Sequence, residues 1–185
     1  MSSASADQRI CLYDSDELDG VLDAMAGHAA LLLPANRYAL VGVLRRGAPL
    51  ARMLQQRLAR LTGTPEVPLY SLKVKRYADD LSLLHPETAL TENPELAGMN
   101  LADTSLLVVD DVLYEGHSLL RTCAYLTRLG AREVRTAVLV DRCVSRQPIR
   151  ADIIGIRLQV APGDIVECNV PPYESTFRID ILRHD

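Results

Sequence analysis

At 185 residues, with 24% charged and 48% hydrophobic side chains, the chain has the length and balance of one globular domain that can bury a core, which excludes a disordered or fibrous class. A formal net charge of −4 gives no global attraction to nucleic acid or to an acidic membrane, so any such role needs a local basic patch. The four cysteines, Cys11, Cys123, Cys143 and Cys168, form no Cys-x-x-Cys pair and have no histidine at zinc-ligand spacing, and no apolar run approaches the roughly 18 residues that span a bilayer. With no basic-then-apolar leader pattern in its first twenty residues, the chain reads as a reduced, cytoplasmic, soluble protein without a membrane partner.

Residues Met1 to Gln8 are small and polar and read as a frayed segment. From Asp14 the text SDELDGVLDAMAGHAALLL offers Ser and Asp caps and places Leu18, Leu22, Met25 and Ala29 at helical spacing, which predicts a helix up to Pro34. Tyr38–Leu44 (YALVGVL) is a short apolar run expected to form a buried strand, and RRGAP leads from it into ARMLQQRLARL, an amphipathic helix stopped by Gly63. Val67–Lys73 suggests a second strand. The stretch 76–104 is polar, rich in Asp, Glu, Asn and Pro and without a sustained period; such a length inside a compact domain is expected to be a lid, a binding loop or a disordered segment. A third strand is expected over Ser105–Val109, a helix over Ser118–Leu129 closed by Gly130, a fourth strand over Val134–Val140 and a fifth over Asp152–Ile156. The tail Ile165–Leu182 offers one or two more. Alternating elements with near-continuous apolar strands predict an α/β fold, a mainly parallel twisted sheet flanked by helices on both faces.

Ligands of such sheets sit at the carboxyl ends of the strands, where both the RRG loop and the stretch LLVVDDVLYEGHSLLRT fall. In the latter, Tyr114 to Ser118 forms a strand-loop-helix junction whose amides and helix N-terminus make a ready anion site. Neighbouring strand residues point to opposite faces, so one of Asp110 and Asp111 can face a ligand while the other orients the loop or holds a metal. Carboxylates beside a phosphate cradle suit sugar hydroxyls or a magnesium ion, which makes a sugar phosphate the favoured ligand. The bland alternative is a solvated strand end that caps the next helix.

VVDDVLYEGHS resembles the phosphoribosyl diphosphate (PRPP) motif of type I phosphoribosyltransferases. Within them it is most similar to the PyrR family, pyrimidine-operon attenuators with uracil phosphoribosyltransferase activity, which read V-D-D-V-L-Y-T-G-R-T at this place. VGVLRRG resembles the family's strand and pyrophosphate loop, KRYADDL the opening of its lid, VLVDR its fourth strand, and QPIRADIIG the base-side segment, all in family order across Leu40 to Gly155. The tail after Gly155 matches little. The resemblance implies a single domain over 1–185 with a flexible lid loop and a small hood, a homodimer or higher homo-oligomer, and transfer of the ribose 5-phosphate of PRPP to a pyrimidine base, uracil to UMP. It also implies a regulatory role in pyrimidine gene expression; RNA would then be a partner, although the composition gives that no support. By the same resemblance Asp110 and Asp111 would be catalytic, binding the ribose hydroxyls directly or through Mg2+. Tyr114, Glu115, Gly116, His117 and Ser118 would cradle the 5-phosphate. Arg45, Arg46 and Gly47 would hold pyrophosphate, with Arg46 the catalytic member. Tyr77, Asp79 and Asp80 would act from the lid, and Asp141 and Arg142 would frame the base.

The sequence departs from that pattern at anion-handling positions: Glu115 stands where the family has Thr, His117 where it has Arg, Ser118 for the final Thr, and Ala78 for a lid Arg. A carboxylate at ~4 Å from a unit negative charge is repelled by about 4 kcal/mol at an effective dielectric of ~20. Alternatively, Glu115 sits near a helix N-terminus and can fill the anion nest itself. Three readings therefore stand: an active transferase; a nucleotide-binding regulator of the same fold that no longer turns over PRPP; and an enzyme of that fold turned to another ribosyl or nucleotide substrate, with Glu115 and His117 as acid, base or contacts. Asp79 and Asp80 can equally just keep a long loop soluble. Lys73, Lys75 and Arg76 read first as a solvated face, His28 and His184 have no evident partner, and Cys123 falls on the core side of its helix.

Overall fold

The computed structural model describes residues 8–35, 37–73 and 93–183. Its first described element is a strand that the sequence did not announce, β1 (Gln8–Tyr13), followed by α1 (Ser15–Leu32). Gln8, expected to fray, pairs with Arg183, because the partner strand lies at the far end of the sequence and no local pattern points to it. Asp14 caps α1 in a reciprocal box: its carboxylate accepts the amides of Asp16 and Glu17, each at 3.0 Å, while Glu17 accepts the Asp14 amide at 3.0 Å. The predicted stripe of Leu18, Leu22, Met25 and Ala29 is buried.

Next come β2 (Tyr38–Leu44), α2 (Gly47–Thr62) and β3 (Leu69–Lys73). Helix α2 begins earlier than its amphipathic pattern, so Gly47 is its first residue and not part of the loop, and Pro49 sits in the first turn, where a missing amide is harmless. It ends where expected, with Gly63 in the left-handed region at φ 66°. The expected lid falls outside the described residues as far as residue 92. Its last part is packed: α3 (Pro94–Ala97) and a 3-10 turn (Leu101–Asp103) bury Leu96 and Leu101 against the sheet, a pair too widely spaced to register as a period. Then follow β4 (Ser105–Leu113), α4 (His117–Arg128), β5 (Glu133–Asp141), β6 (Ile153–Arg157), β7 (Ile165–Asn169) and β8 (Arg178–Arg183). Strand β4 is four residues longer than the apolar run suggested, because Asp110, Val112 and Leu113 continue the ladder with Val138, Val140 and Asp141. The acidic pair thus lies inside the strand and not after it.

Five strands form one parallel sheet in the order β3-β2-β4-β5-β6, and β1, β8 and β7 form a separate antiparallel sheet in that order. Period-two alternation sorts the central strands between two cores. Leu40, Leu107, Val109 and Leu139 pack with α1, α2 and the small sheet's Val166, Cys168 and Ile179. Val41, Val43, Leu106, Val108 and Val138 pack with α4, Leu96 and Leu101. The chain runs outward from β2 to β3 and then returns past β2 to β4, so the order reverses between β2 and β4. Their diverging carboxyl ends form the crevice where open parallel sheets bind ligands. Among the described residues, no helix is long and apolar enough to cross a membrane.

Leu22 is fully buried between α1, α2 and the sheet. Leu22→Ala should therefore cost about 2–5 kcal/mol, read as a lowered urea midpoint at unchanged m-value.

Candidate functional site

The crevice is built by three segments. At the end of β2, Arg45 and Arg46 precede the first turn of α2, and a Cβ on Gly47 would run into the backbone carbonyl of Val109 and lie 3.1 Å from the Asp110 Cα. Only a glycine lets this loop rest against β4. At the end of β4, Asp110 and Asp111 are each 3% exposed. They separate as strand parity requires. Asp110 shares the α4 side and lines a cavity of about 380 Å3 with Tyr114, Glu115, His117 and Ser118. Asp111 faces the other side, where its charge acts on Arg46 and on the buried Cys168 of β7. The Asp111 amide donates to Asp110 Oδ1 at 2.9 Å, which ties the two carboxylates to one backbone.

The third segment is the loop into α4. Gly116 adopts φ 90°, and a Cβ there would meet Ser145 Oγ at 2.6 Å and Ile149 Cγ2 at 2.8 Å, so the position demands glycine on two counts. The N-cap of α4 is Gly116, which has no side chain to bond its first amides, and residues 115–119 line the cavity. The loop is braced from behind: the Glu115 carbonyl accepts the amides of Arg146 at 3.1 Å and Gln147 at 3.2 Å and the Ser145 hydroxyl at 3.2 Å. The Glu115 carboxylate, 28% exposed, lies between His117 Nε2 and an Arg146 nitrogen, each 3.6 Å away. The Arg146 guanidinium thus offsets part of its charge. Gln147 also reaches His117, at 3.5 Å. Residues 145–147, the last of which opens the segment 147–155 expected beside the base, thus brace the loop into α4.

Of the remaining predicted positions, Asp141 accepts the Cys143 amide at 2.8 Å and lines a neighbouring cavity of about 720 Å3 with Gln147, Arg150 and Arg157. Arg142 turns instead to the ring of Tyr114, 5.2 Å from its centroid, and donates to the Asp164 carbonyl at 3.4 Å. Its Nε is buried and has no hydrogen-bond partner among the described residues. Tyr77, Asp79 and Asp80 lie outside the described residues, as do Lys75, Arg76 and Ala78.

Three residues of the tail after Gly155, where the sequence offered no motif, also reach this crevice. Glu174 holds the Arg46 guanidinium, Tyr173 lies 5.0 Å beneath that of Arg45, and Cys168 closes over the acidic pair from β7. No spacing in the tail foretold them, since the antiparallel turn between β7 and β8 alone carries them there. Burial pushes the Cys168 thiol well above its ordinary value, with Asp111 adding to the shift, and pushes that of Cys123 up to about 11. Neither thiol is an activated nucleophile. Among the described residues, no three His, Cys, Asp or Glu side chains converge as a metal site. Two carboxylates still suit a magnesium ion that takes its other ligands from water and a phosphorylated substrate.

A family model described as the phosphoribosyl transferase domain matches residues 14–176. The chain belongs to the phosphoribosyltransferase family. Within that family it is similar to proteins named Bifunctional protein PyrR. The one from Deinococcus radiodurans is 36% identical over 149 residues, 80% of each chain, and the one from Elusimicrobium minutum is 33% identical over 178 residues, 92% of this chain and 95% of that one. Among solved structures, a hypoxanthine phosphoribosyl transferase of Trypanosoma cruzi matches with a TM-score of 0.75 at 18% identity over 99% of this chain and 95% of that one. One from Staphylococcus aureus matches with a TM-score of 0.74 at 15% identity over 94% of this chain and 92% of that one. These likenesses show the fold, a five-stranded parallel phosphoribosyltransferase sheet flanked by helices.

The hydrogen bond from Arg46 holds the Glu174 carboxyl below its ordinary value of 4.5. On acidification the unfolded chain takes up this proton first, so the stabilisation is complete above pH 4.5 and fades as the pH falls through the lower folded value. Wild type should melt above Glu174→Gln at neutral pH, and the gap in Tm should close as the pH drops below 4.5.

Proposed function

We propose that this phosphoribosyltransferase-family protein binds PRPP with magnesium and transfers its ribose 5-phosphate to a pyrimidine base, forming UMP from uracil and releasing pyrophosphate. One observation carries the reading: the buried pair Asp110 and Asp111 splits across the central strand, one carboxylate toward the uncapped N-terminus of α4 and the other toward the arginine loop. That arrangement suits a ligand with a phosphate at one end, a diol in the middle and a second anion at the other.

In this reading the amides from Glu115 to Ser118 hold the 5-phosphate, and Asp110 and Asp111 orient the ribose hydroxyls and hold the magnesium. Arg46 stabilises the departing diphosphate, with Arg45 beside it. When bound, magnesium supplies positive charge to the diphosphate oxygens. A base nitrogen attacks C1 of the ribose as the C1–O bond to diphosphate breaks and that oxygen leaves with the electron pair, while the proton of the nitrogen passes to the departing diphosphate or to water; positioning and charge stabilisation carry the rate. The orphan Arg142 Nε, buried beside Tyr114, is a donor suited to a carbonyl of a uracil-type base.

A second reading, a nucleotide-binding regulator without turnover, draws support from Glu115, which places a carboxylate in the phosphate loop. Isothermal titration separates the two. Magnesium-dependent micromolar PRPP binding, followed by uracil-dependent pyrophosphate release, is the expected outcome. A folded protein that binds UMP but not PRPP would favour the regulator. Glu115→Thr should tighten PRPP binding by about tenfold, less than the bare repulsion implies because Arg146 already offsets part of the charge. Unchanged affinity would mean that the Glu115 carboxylate never meets the ligand.

A further inference from the structure

Both arginines of the crevice loop are gripped by one turn of the small sheet. Arg46 presents its fork to Glu174: Nε lies 3.2 Å from both carboxylate oxygens and NH2 2.6 Å from Oε1. The same carboxylate accepts the Val170 amide at 2.8 Å, so it is anchored by its own turn as well as by the arginine. One residue earlier, the Tyr173 ring lies 5.0 Å from the Arg45 guanidinium carbon. Paired, two-point bonding is the geometry in which a guanidinium also receives phosphate oxygens. The charge of Asp111 on β4 also acts on Arg46, beside the direct pairing with Glu174. A multiply charged anion entering here meets like charge before it meets a free donor fork.

We propose that Glu174 is a built-in competitor for the anion subsite of Arg46, an affinity-setting residue that a diphosphate group must displace in order to occupy the fork. This rests on the reading above that Arg46 faces a phosphorylated ligand. The exchange is local and reversible: the Arg46–Glu174 pair opens and the fork takes the oxygens of the incoming anion. As the Glu174 carboxylate swings away, the Val170 amide loses its acceptor, which couples filling of the subsite to loosening of the turn between β7 and β8. The device also lets an arginine wait in a half-buried crevice without an unpaired charge.

The test uses the full chain and inorganic pyrophosphate with magnesium as the probe, titrated calorimetrically into wild type, Glu174→Gln and Glu174→Asp. Glu174→Gln should bind at least tenfold tighter than wild type, and Glu174→Asp, which keeps the charge on a shorter arm, should fall between them. Hydrogen exchange on the unaltered protein needs no variant: amides over 170–177 should exchange faster when pyrophosphate is saturating than without it. Pyrophosphate binding only to Glu174→Gln would support the proposal in its strongest form. Equal affinity, weaker binding by Glu174→Gln or slower exchange of the turn on binding would overturn it, weaker binding meaning that Glu174 positions Arg46 for its ligand. If wild type binds PRPP while Glu174→Gln gains nothing for pyrophosphate, the competitor fails and the functional reading stands. If neither protein binds PRPP or pyrophosphate, both fail.

Discussion

The site depends on a close approach of two backbones. Gly47, the first residue of α2, lies against the carbonyl of Val109 and the Cα of Asp110, with no room for a side chain between them. Gly42, in β2, allows a second close approach, since a Cβ there would fall 2.5 Å from the Ala48 Cα at the start of α2. Two glycines thus press the start of α2 down onto the central strands. A larger residue at Gly47 would push α2 and its arginines away from β4, and the carboxylates would no longer share a crevice with the guanidinium groups that balance them.

Charge balance is the second organising constraint. Asp110, Asp111, Glu115 and Glu174 gather around the crevice, and the two sides of the sheet meet that charge with different partners: Arg46 for Glu174 and Asp111 on the small-sheet side, Arg146 for Glu115 on the α4 side. The crevice therefore has its cations largely committed within the protein. On the function proposed above, a phosphorylated ligand would compete for them, and a divalent cation carried with it would relieve the repulsion from the carboxylates.

The small antiparallel sheet is more than a lid over the core. Arg9, Asn169 and Arg178 all converge on Oδ2 of Asp180, a carboxylate with no solvent exposure, and this network fixes β1, β7 and β8 to one another. With the sheet rigid, the turn that follows β7 delivers Tyr173 and Glu174 to the arginine loop at a defined distance. Residues from the first and last described strands of the chain thus shape a site whose motifs all lie between residues 40 and 155.

The parallel sheet was legible because each of its strands is a local apolar run and each helix carries its own stripe and stop signal. Tyr38–Leu44 matches β2, and Leu18, Leu22, Met25 and Ala29 all lie in the core. The acidic pair, the glycine loop of α4 and the RRG loop were legible for the same reason, being contiguous in sequence. What the sequence alone could not express was every feature made by residues far apart along the chain. These are β1 against β8, the burial of Leu96 and Leu101, the bracing of Glu115 by 145–147, and the hold of Glu174 on Arg46 across 128 residues. Hydrophobic period and turn chemistry are local properties and determined which segments are strands, helices and the loops that join them. Ion pairs, strand extension beyond the apolar run and the partners of each arginine depend on what the fold brings alongside, and only the tertiary structure decided them.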